Sequence, residues 1–290
     1  MTSPLGLSWP VMLAVLFGAL LHAGWNALVK SSGDKSVDTA LVHFMGSVVA
    51  LPVLLVVGLP AQPSWPFIGV SLTIHVGYYF ALAGAYRHGD LGLTYPIMRG
   101  FAPLLVALAS GSLLGESPSA AAWLGIVGIT VGVVLVGLAH PGDTLHHRKA
   151  LGFAFANAVI IACYTLVDGR GVRLAGDALA YVMLLFVLDG LPYPALVFAS
   201  RGPQGRAEIL RYASRRWPLA TLGGAASIGS YAIALWAMTR APVASVAALR
   251  ETSVLFAAVL GVWLLKERFG LQRALGTLVL LGGVIALRMG

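Results

Sequence analysis

The sequence predicts an all-α integral membrane protein of ten transmembrane helices, arranged as two inverted five-helix repeats. Three observations predict it: a composition too apolar for a soluble surface, ten apolar runs of spanning length, and one ungapped register that superposes the two halves. Of 290 residues, 58% are hydrophobic and 10% are charged. Soluble domains carry about 25% charged residues, so this chain lacks the side chains to cover a globular surface. Ten helices of roughly 20 residues use about 200, leaving only short connections and tails. That arithmetic excludes a cytosolic enzyme, a nucleic-acid-binding domain, a coiled coil and a disordered chain.

The apolar runs lie near 9–30, 38–59, 66–87, 93–114 and 121–139, then 151–170, 178–199, 217–238, 243–265 and 272–288. No basic residue precedes the first run, so it reads as a mature span rather than a cleavable signal peptide. The widest gap, 200–216, holds five arginines and reads as a solvated loop in contact with lipid headgroups. The polar connection at 140–150 divides the chain into a first repeat, 9–139, and a second, 151–288.

A shift of 151 positions places Arg99 on Arg250 and Glu116 on Glu267 without a gap. The same register puts Leu124-Gly125 on Leu275-Gly276 and Gly132 on Gly283. Leucine and glycine coincidences are common in such a composition, but two coinciding charges are not. Five spans per repeat is an odd number, so the second repeat enters the membrane from the opposite face. Inverted repeats of this kind are the architecture of many secondary transporters, in which one half rocks against the other around a central site.

Charged residues inside spans point to that site. A charge at the bilayer centre costs about 2.5–3.5 kcal/mol on insertion scales, so it needs a partner or water. Within spans lie His22, His43, His75, Arg99, Asp189, Arg250 and Glu251, with Asp168 near an end. Arg99 sits in mid-span 4 between Pro96 and Pro103, one turn after Tyr95. The prolines predict a kink there. A cation beside a distorted helix is suited to bind carboxylate or phosphate. Arg250 and Glu251 occupy the matching depth in span 9, and the two-fold relation predicts that Glu251 pairs with Arg99. Arg250 is then the freer cation, or pairs with Asp189. A static ion pair holding helices together is the alternative reading of the same charges.

Polar side chains also recur at helical spacing. They are His22, Asn26 and Lys30 in span 1, His75, Tyr79 and Tyr86 in span 3, and Asn157, Tyr164 and Asp168 in span 6. Facing inward, they would line a small aromatic cavity able to hold a polar solute. Each taken singly is as well explained as a hydrogen-bonded packing residue. The candidate binding residues are therefore Arg99, Arg250, Glu251, Tyr95, His22, Asn26, His75, Tyr79, Tyr164 and Asp189. The glycines of Gly128-xxx-Gly132 in span 5, and Gly223, Gly224 and Gly229 in span 8, predict close helix contacts. Spans 5 and 10 carry few polar residues and are expected at the periphery.

No phosphate-binding loop, dinucleotide fingerprint, zinc motif or hydrolase elbow occurs, so no catalytic residue and no cofactor is expected. His140, Asp143, His146 and His147 share one connection, read as solvated loop rather than metal site. Cys163 is the single cysteine and lies in an apolar run, which excludes an internal disulfide.

The chain resembles the drug/metabolite transporter superfamily, in its ten-span EamA branch. The resemblance rests on His22-Ala-Gly-Trp-Asn26, Tyr95-Pro-Ile-Met-Arg99-Gly, Gly115-Glu116 and Lys266-Glu267. Arg250-Glu-Thr-Ser253 and Tyr164-Thr-Leu-Val-Asp-Gly169 are similar to a subset associated with phosphonate utilisation. The resemblance implies transport in a cell inner membrane, with export as plausible as uptake, and termini inside. The positive-inside rule implies the reverse. Of 19 Lys and Arg, two lie mid-span, four in gaps on the side of the termini and thirteen on the other side.

Together these readings give a secondary carrier working by alternating access on a small anionic or zwitterionic metabolite, amino-acid-like or an organophosphonate. If protons are coupled, Glu251, Asp189 or His22 is expected to carry them. Lipids and the solute are the expected partners, with a homodimer open and nucleic acid excluded. A membrane-embedded lipid-phosphate hydrolase and a non-transporting scaffold are the other classes. Product formation in detergent separates the first from a carrier, and solute flux in liposomes separates the second.

Overall fold

The computed structural model describes residues 7–30, 33–88, 91–137, 148–265 and 270–290. The described residues contain no strand. Among the described residues twelve α-helices follow one another: α1 Trp9–Lys30, α2 Lys35–Val57, α3 Trp65–His88, α4 Leu91–Leu114, α5 Ala120–Gly137, α6 Arg148–Leu174, α7 Ala178–Asp189, α8 Pro192–Ala199, α9 Pro203–Met238, α10 Val243–Arg250, α11 Ser253–Leu265 and α12 Leu271–Met289. Among the described residues, nine helical segments are long and apolar enough to cross a membrane. Helix α3 is 24 residues long. The chain is thus a multi-pass, all-α membrane protein.

Two expected spans are each built from two helices. Span 7 breaks at Gly190-Leu191, between α7 and α8. The break lies against α2, where Ser47 Oγ donates to Phe186 O at 2.9 Å. A Cβ at Gly190 would stand 2.5 Å from His43 O, so only glycine lets the backbones come so close. Span 9 breaks after Arg250, between α10 and α11. There the Glu251, Thr252, Val254 and Leu255 amides bond three residues back, to Ala248, Leu249, Glu251 and Thr252. Such a tightened turn inside a span is a common mark of a functional hinge.

Two expectations are corrected. The arginine-rich stretch 200–216 is not a loop, because α9 starts at Pro203 and runs 36 residues into span 8. Proline suits a first helical position, and Ala, Glu, Leu and Arg favour helix. The arginines are also tied down, since Arg201 bonds Asp34 at 3.1 Å and Arg216 bonds Asp38 at 2.6 Å. Helix α6 likewise extends to Leu174, so Asp168 lies inside it rather than near its end. The connection holding His140, Asp143, His146 and His147 lies outside the described residues, as do Lys266 and Glu267.

The helix pairings come in equivalents. Helices α3 and α4 pack on α6, while α9 and α11 pack on α1; α5 packs on α12, α2 on α7 and α4 on α10. Helix α10 is buried on every side from Val243 to Leu249. The α5–α12 seam is glycine-lined as expected: a Cβ at Gly132 would lie 2.7 Å from Leu280 N and 2.8 Å from Gly276 O. Gly224 of α9 approaches α2 in the same way, where a Cβ would lie 2.7 Å from Gly46 N. Without a hydrophobic driving force in lipid, such close approach supplies the packing that joins helices.

The seam makes a testable demand. Gly132→Leu should lower the thermal midpoint in detergent, at an overpacking cost of about 1–3 kcal/mol. Gly282→Ala should leave the midpoint unchanged, because nothing lies within 4 Å of a Cβ there. Equal midpoints for both variants would show that the seam is loose.

Candidate functional site

The site is organised by the break in span 9. Arg99 of α4 and Glu251, at the end of α10, form the expected ion pair, with Nε 2.9 Å from Oε2. Both are almost wholly buried, at 7% and 4% exposure. Helix α4 runs on through Pro96 and Pro103, whereas the partner span is divided into two helices. Arg250 ends α10, where a cation complements the helix dipole. Its guanidinium stands 5.1 Å from the centre of the Tyr231 ring, a cation–π contact with α9. Among the described residues no carboxylate pairs with Arg250 within ion-pair distance.

The two arginines and Glu251 line a small central cavity with Ala102, Pro103, Tyr164 and Thr165. Its volume is about 10 Å³. That is room for about one water, so the helices close around the charges rather than around a solute-sized chamber. Arg99 Nη2 is buried and has no hydrogen-bond partner among the described residues, and the same holds for Asn157 Oδ1. Buried polar atoms of this kind call for an explanation, and a bound polar group is one.

The other candidates divide. Tyr164 joins the cavity and stacks on His75 of α3, ring centres 4.6 Å apart. Tyr95 packs against the cluster of Met98, Ala102, Ile161 and Tyr164. Asn157 is fully buried and donates from Nδ2 to Met98 Sδ at 2.8 Å. His22 lies within electrostatic reach of Arg99 and Arg250, but its ring accepts from Trp25 Nε1 at 3.3 Å. Asn26 spends its amide on the local backbone, donating to His22 O at 2.8 Å. Asp189 is not the partner of Arg250, since its carboxylate lies 3.8 Å from His43 of α2. The reason is the break at Gly190, which ends α7 against α2. The side chains of Tyr79, Tyr86 and Lys30 lie outside the described residues.

Three features escaped the sequence reading. The first is the pair of tyrosines on the fully buried Asp168 carboxylate, which accepts from Tyr181 of α7 at 2.9 Å and from Tyr231 of α9. The second is a polar clasp near the end of span 6. Arg173 of α6 pairs with Glu116, and its Nε donates to Met238 O at 2.8 Å. Glu116 also accepts from Val243 N at 2.9 Å, an anion at the N-terminus of α10. The third is a cavity of about 630 Å³ beside that clasp, lined by Val172, Arg173, Ala232, Trp236 and Arg240 among others. Glu116 was legible as a charge repeated after 151 positions, but nothing in the sequence named Arg173 as its partner.

Comparisons with known proteins agree with this architecture. No curated protein matches the chain. One solved structure, described only as the crystal structure of a protein, superposes with a TM-score of 0.74. It is 19% identical, and the match covers 96% of this chain and 95% of that one. At that identity the likeness shows the fold alone. The model of the EamA-like transporter family matches residues 148–289, the half that carries Asp168, Tyr231, Arg250 and Glu251. That match places the chain in the EamA branch of the drug/metabolite transporter superfamily.

Proposed function

We propose that the chain is a secondary carrier that moves a small anionic or zwitterionic solute by alternating access, as exporter or exchanger in the inner cell membrane. The observation that carries this reading is the buried Arg99–Glu251 pair beside an Arg250 that no carboxylate among the described residues neutralises. The cluster holds two cations and one anion. Its electrostatics favour a ligand that brings a carboxylate or phosphonate to Arg250, and an ammonium group would find Glu251. An amino-acid-like compound or an organophosphonate has that pattern of charge. Arginine suits either anion through its bidentate fork.

Alternating access is supported by how the charges are mounted. Glu251 sits at the hinge of span 9, and α10 runs from there to the clasp of Glu116 and Arg173. A solute that draws Glu251 from Arg99 therefore pulls on α10, whose other end is the clasp. The equivalent helix pairings support a division into repeats at 9–139 and 151–288, with α4 and α10 facing each other across the pseudo-two-fold axis.

Two experiments test this. Thermal stabilisation of purified protein is measured with amino acids, organophosphonates, nucleobases and organic cations. A ligand at 100 times its Kd adds about 2.7 kcal/mol, which moves the midpoint visibly. An anionic or zwitterionic class should stabilise the wild type, and Arg250→Ala should fold yet lose the shift. Arg99→Ala should be less stable by about 3–5 kcal/mol, because it leaves Glu251 buried and unpaired. A shift retained in Arg250→Ala would remove Arg250 from the site.

The clasp is tested by hydrogen exchange. Glu116→Gln should speed amide exchange at Val243 and its neighbours and lower stability by about 1–3 kcal/mol, the range for a buried donor left unsatisfied. Unchanged exchange at the start of α10 would show that the clasp does not hold that helix.

A further inference from the structure

The buried carboxylate of Asp168 takes no part in the arginine cluster, yet one side chain joins it to that cluster. Tyr231 receives the Arg250 guanidinium on its ring face and donates its hydroxyl to Asp168 Oδ2. The other carboxylate oxygen accepts from Tyr181 at 2.9 Å. One acid of α6 therefore holds α7 and α9 together. The groups facing it are His75 and Ser71 from α3, Tyr164 one turn earlier on α6, Tyr181 from α7, Tyr231 from α9, and Arg250 from α10 through the Tyr231 ring. Among the described residues no cation forms an ion pair with it. An intramembrane carboxylate satisfied only by neutral hydroxyls is a candidate proton site.

A cavity comes close to it. The 630 Å³ cavity is lined by Val172, one turn beyond Asp168 on α6, and by Ala232, the neighbour of Tyr231 on α9. A single helical turn thus separates the acid from the cavity. We infer that Asp168 is a proton-binding site, loaded from this cavity, that fastens α6 to α7 and α9 when ionised and loosens them when protonated. The inference rests on the carrier reading and supplies its coupling ion, in place of the Glu251, Asp189 or His22 expected from sequence.

The chemistry is a change in acceptor count. An ionised carboxylate is an acceptor only and takes both tyrosine hydroxyls. A proton added to one oxygen turns that oxygen into a donor, so one of the two phenols loses its acceptor or must reverse its bond. No other bond changes, and the proton leaves from the same oxygen. Because Tyr231 also carries Arg250 on its ring, loss of its bond to Asp168 frees the tyrosine that steadies the solute-facing cation.

The test needs no solute. Purified protein in lipid nanodiscs is titrated across roughly pH 5 to 8. The carboxylic-acid C=O stretch is followed by infrared difference spectroscopy, and backbone exchange of α7 and α9 by mass spectrometry. The wild type should gain a protonated-carboxyl band on acidification, with faster exchange over residues 178–189 and 225–238 after correction for intrinsic rates. Asp168→Asn should lose that band and exchange fast at every pH, while Glu251→Gln keeps the band. Tyr231→Phe, which retains the acid, should shift the frequency of the band. If Asp168→Asn does not fold, the shift in Tyr231→Phe assigns the band. A wild-type spectrum without the band, a band that survives Asp168→Asn or ignores Tyr231→Phe, or pH-independent exchange in α7 and α9 overturns the proposal. None of these readouts involves Arg250 binding a ligand, so failure here leaves the arginine-site reading to its own test.

Discussion

Everything central in this molecule depends on bringing the Arg99 charge to terms with the membrane. A lone guanidinium in a span is costly, and Glu251 answers it at 2.9 Å. That answer fixes where α4 meets span 9, because Glu251 sits where α10 gives way to α11. Helix α10 is then held at both ends by charge: at its C-terminal end by the ion pair, at its N-terminus by the Glu116 carboxylate. From Val243 to Leu249 it is buried on every side, with no open apolar face. A short helix pinned between two ionic contacts is suited to report, at one membrane face, what happens at the centre.

The periphery works by a different physics. Helices α5 and α12 carry no central charge and meet through glycines whose backbones nearly touch. Their outer faces, with Leu124, Val131, Leu275 and Leu278, are exposed apolar surface suited to lipid. Close packing keeps this seam tight, while the centre is held by polar contacts that can exchange partners. The division gives a firm frame around a region with alternatives.

The sequence made much of this legible, for reasons that differ by residue. Arg99 and Glu251 could be paired in advance because a charge inside an apolar span has few acceptable partners, and the repeated register aligned their spans. The glycine seam was legible because small residues at four-residue spacing have one common use in membranes. The break in span 9 was not, since no Pro or Gly marks it. It is made by amides bonding three residues back and by Thr252, whose hydroxyl bonds Leu249 O at 2.7 Å. The arginine-rich start of α9 was misread as loop because charge was weighed above helix propensity and above pairing with Asp34 and Asp38. Asp168 was misplaced because hydropathy falls at Arg170 and Arg173, although Arg173 lies inside the helix with a carboxylate of its own.

The most direct test of the account asks whether the Arg99–Glu251 pair keeps the centre shut. A cysteine is placed at Ala247, on the central cavity, in a Cys163→Ala background. Its reaction with a membrane-impermeant thiol reagent is timed from each side of a sealed vesicle. Slow reaction is expected from both sides, since the cavity has room for about one water, and faster reaction from at least one side in Glu251→Gln. Equal rates with and without Glu251→Gln would contradict it, and the ion pair would then be a structural tie with no part in opening the protein.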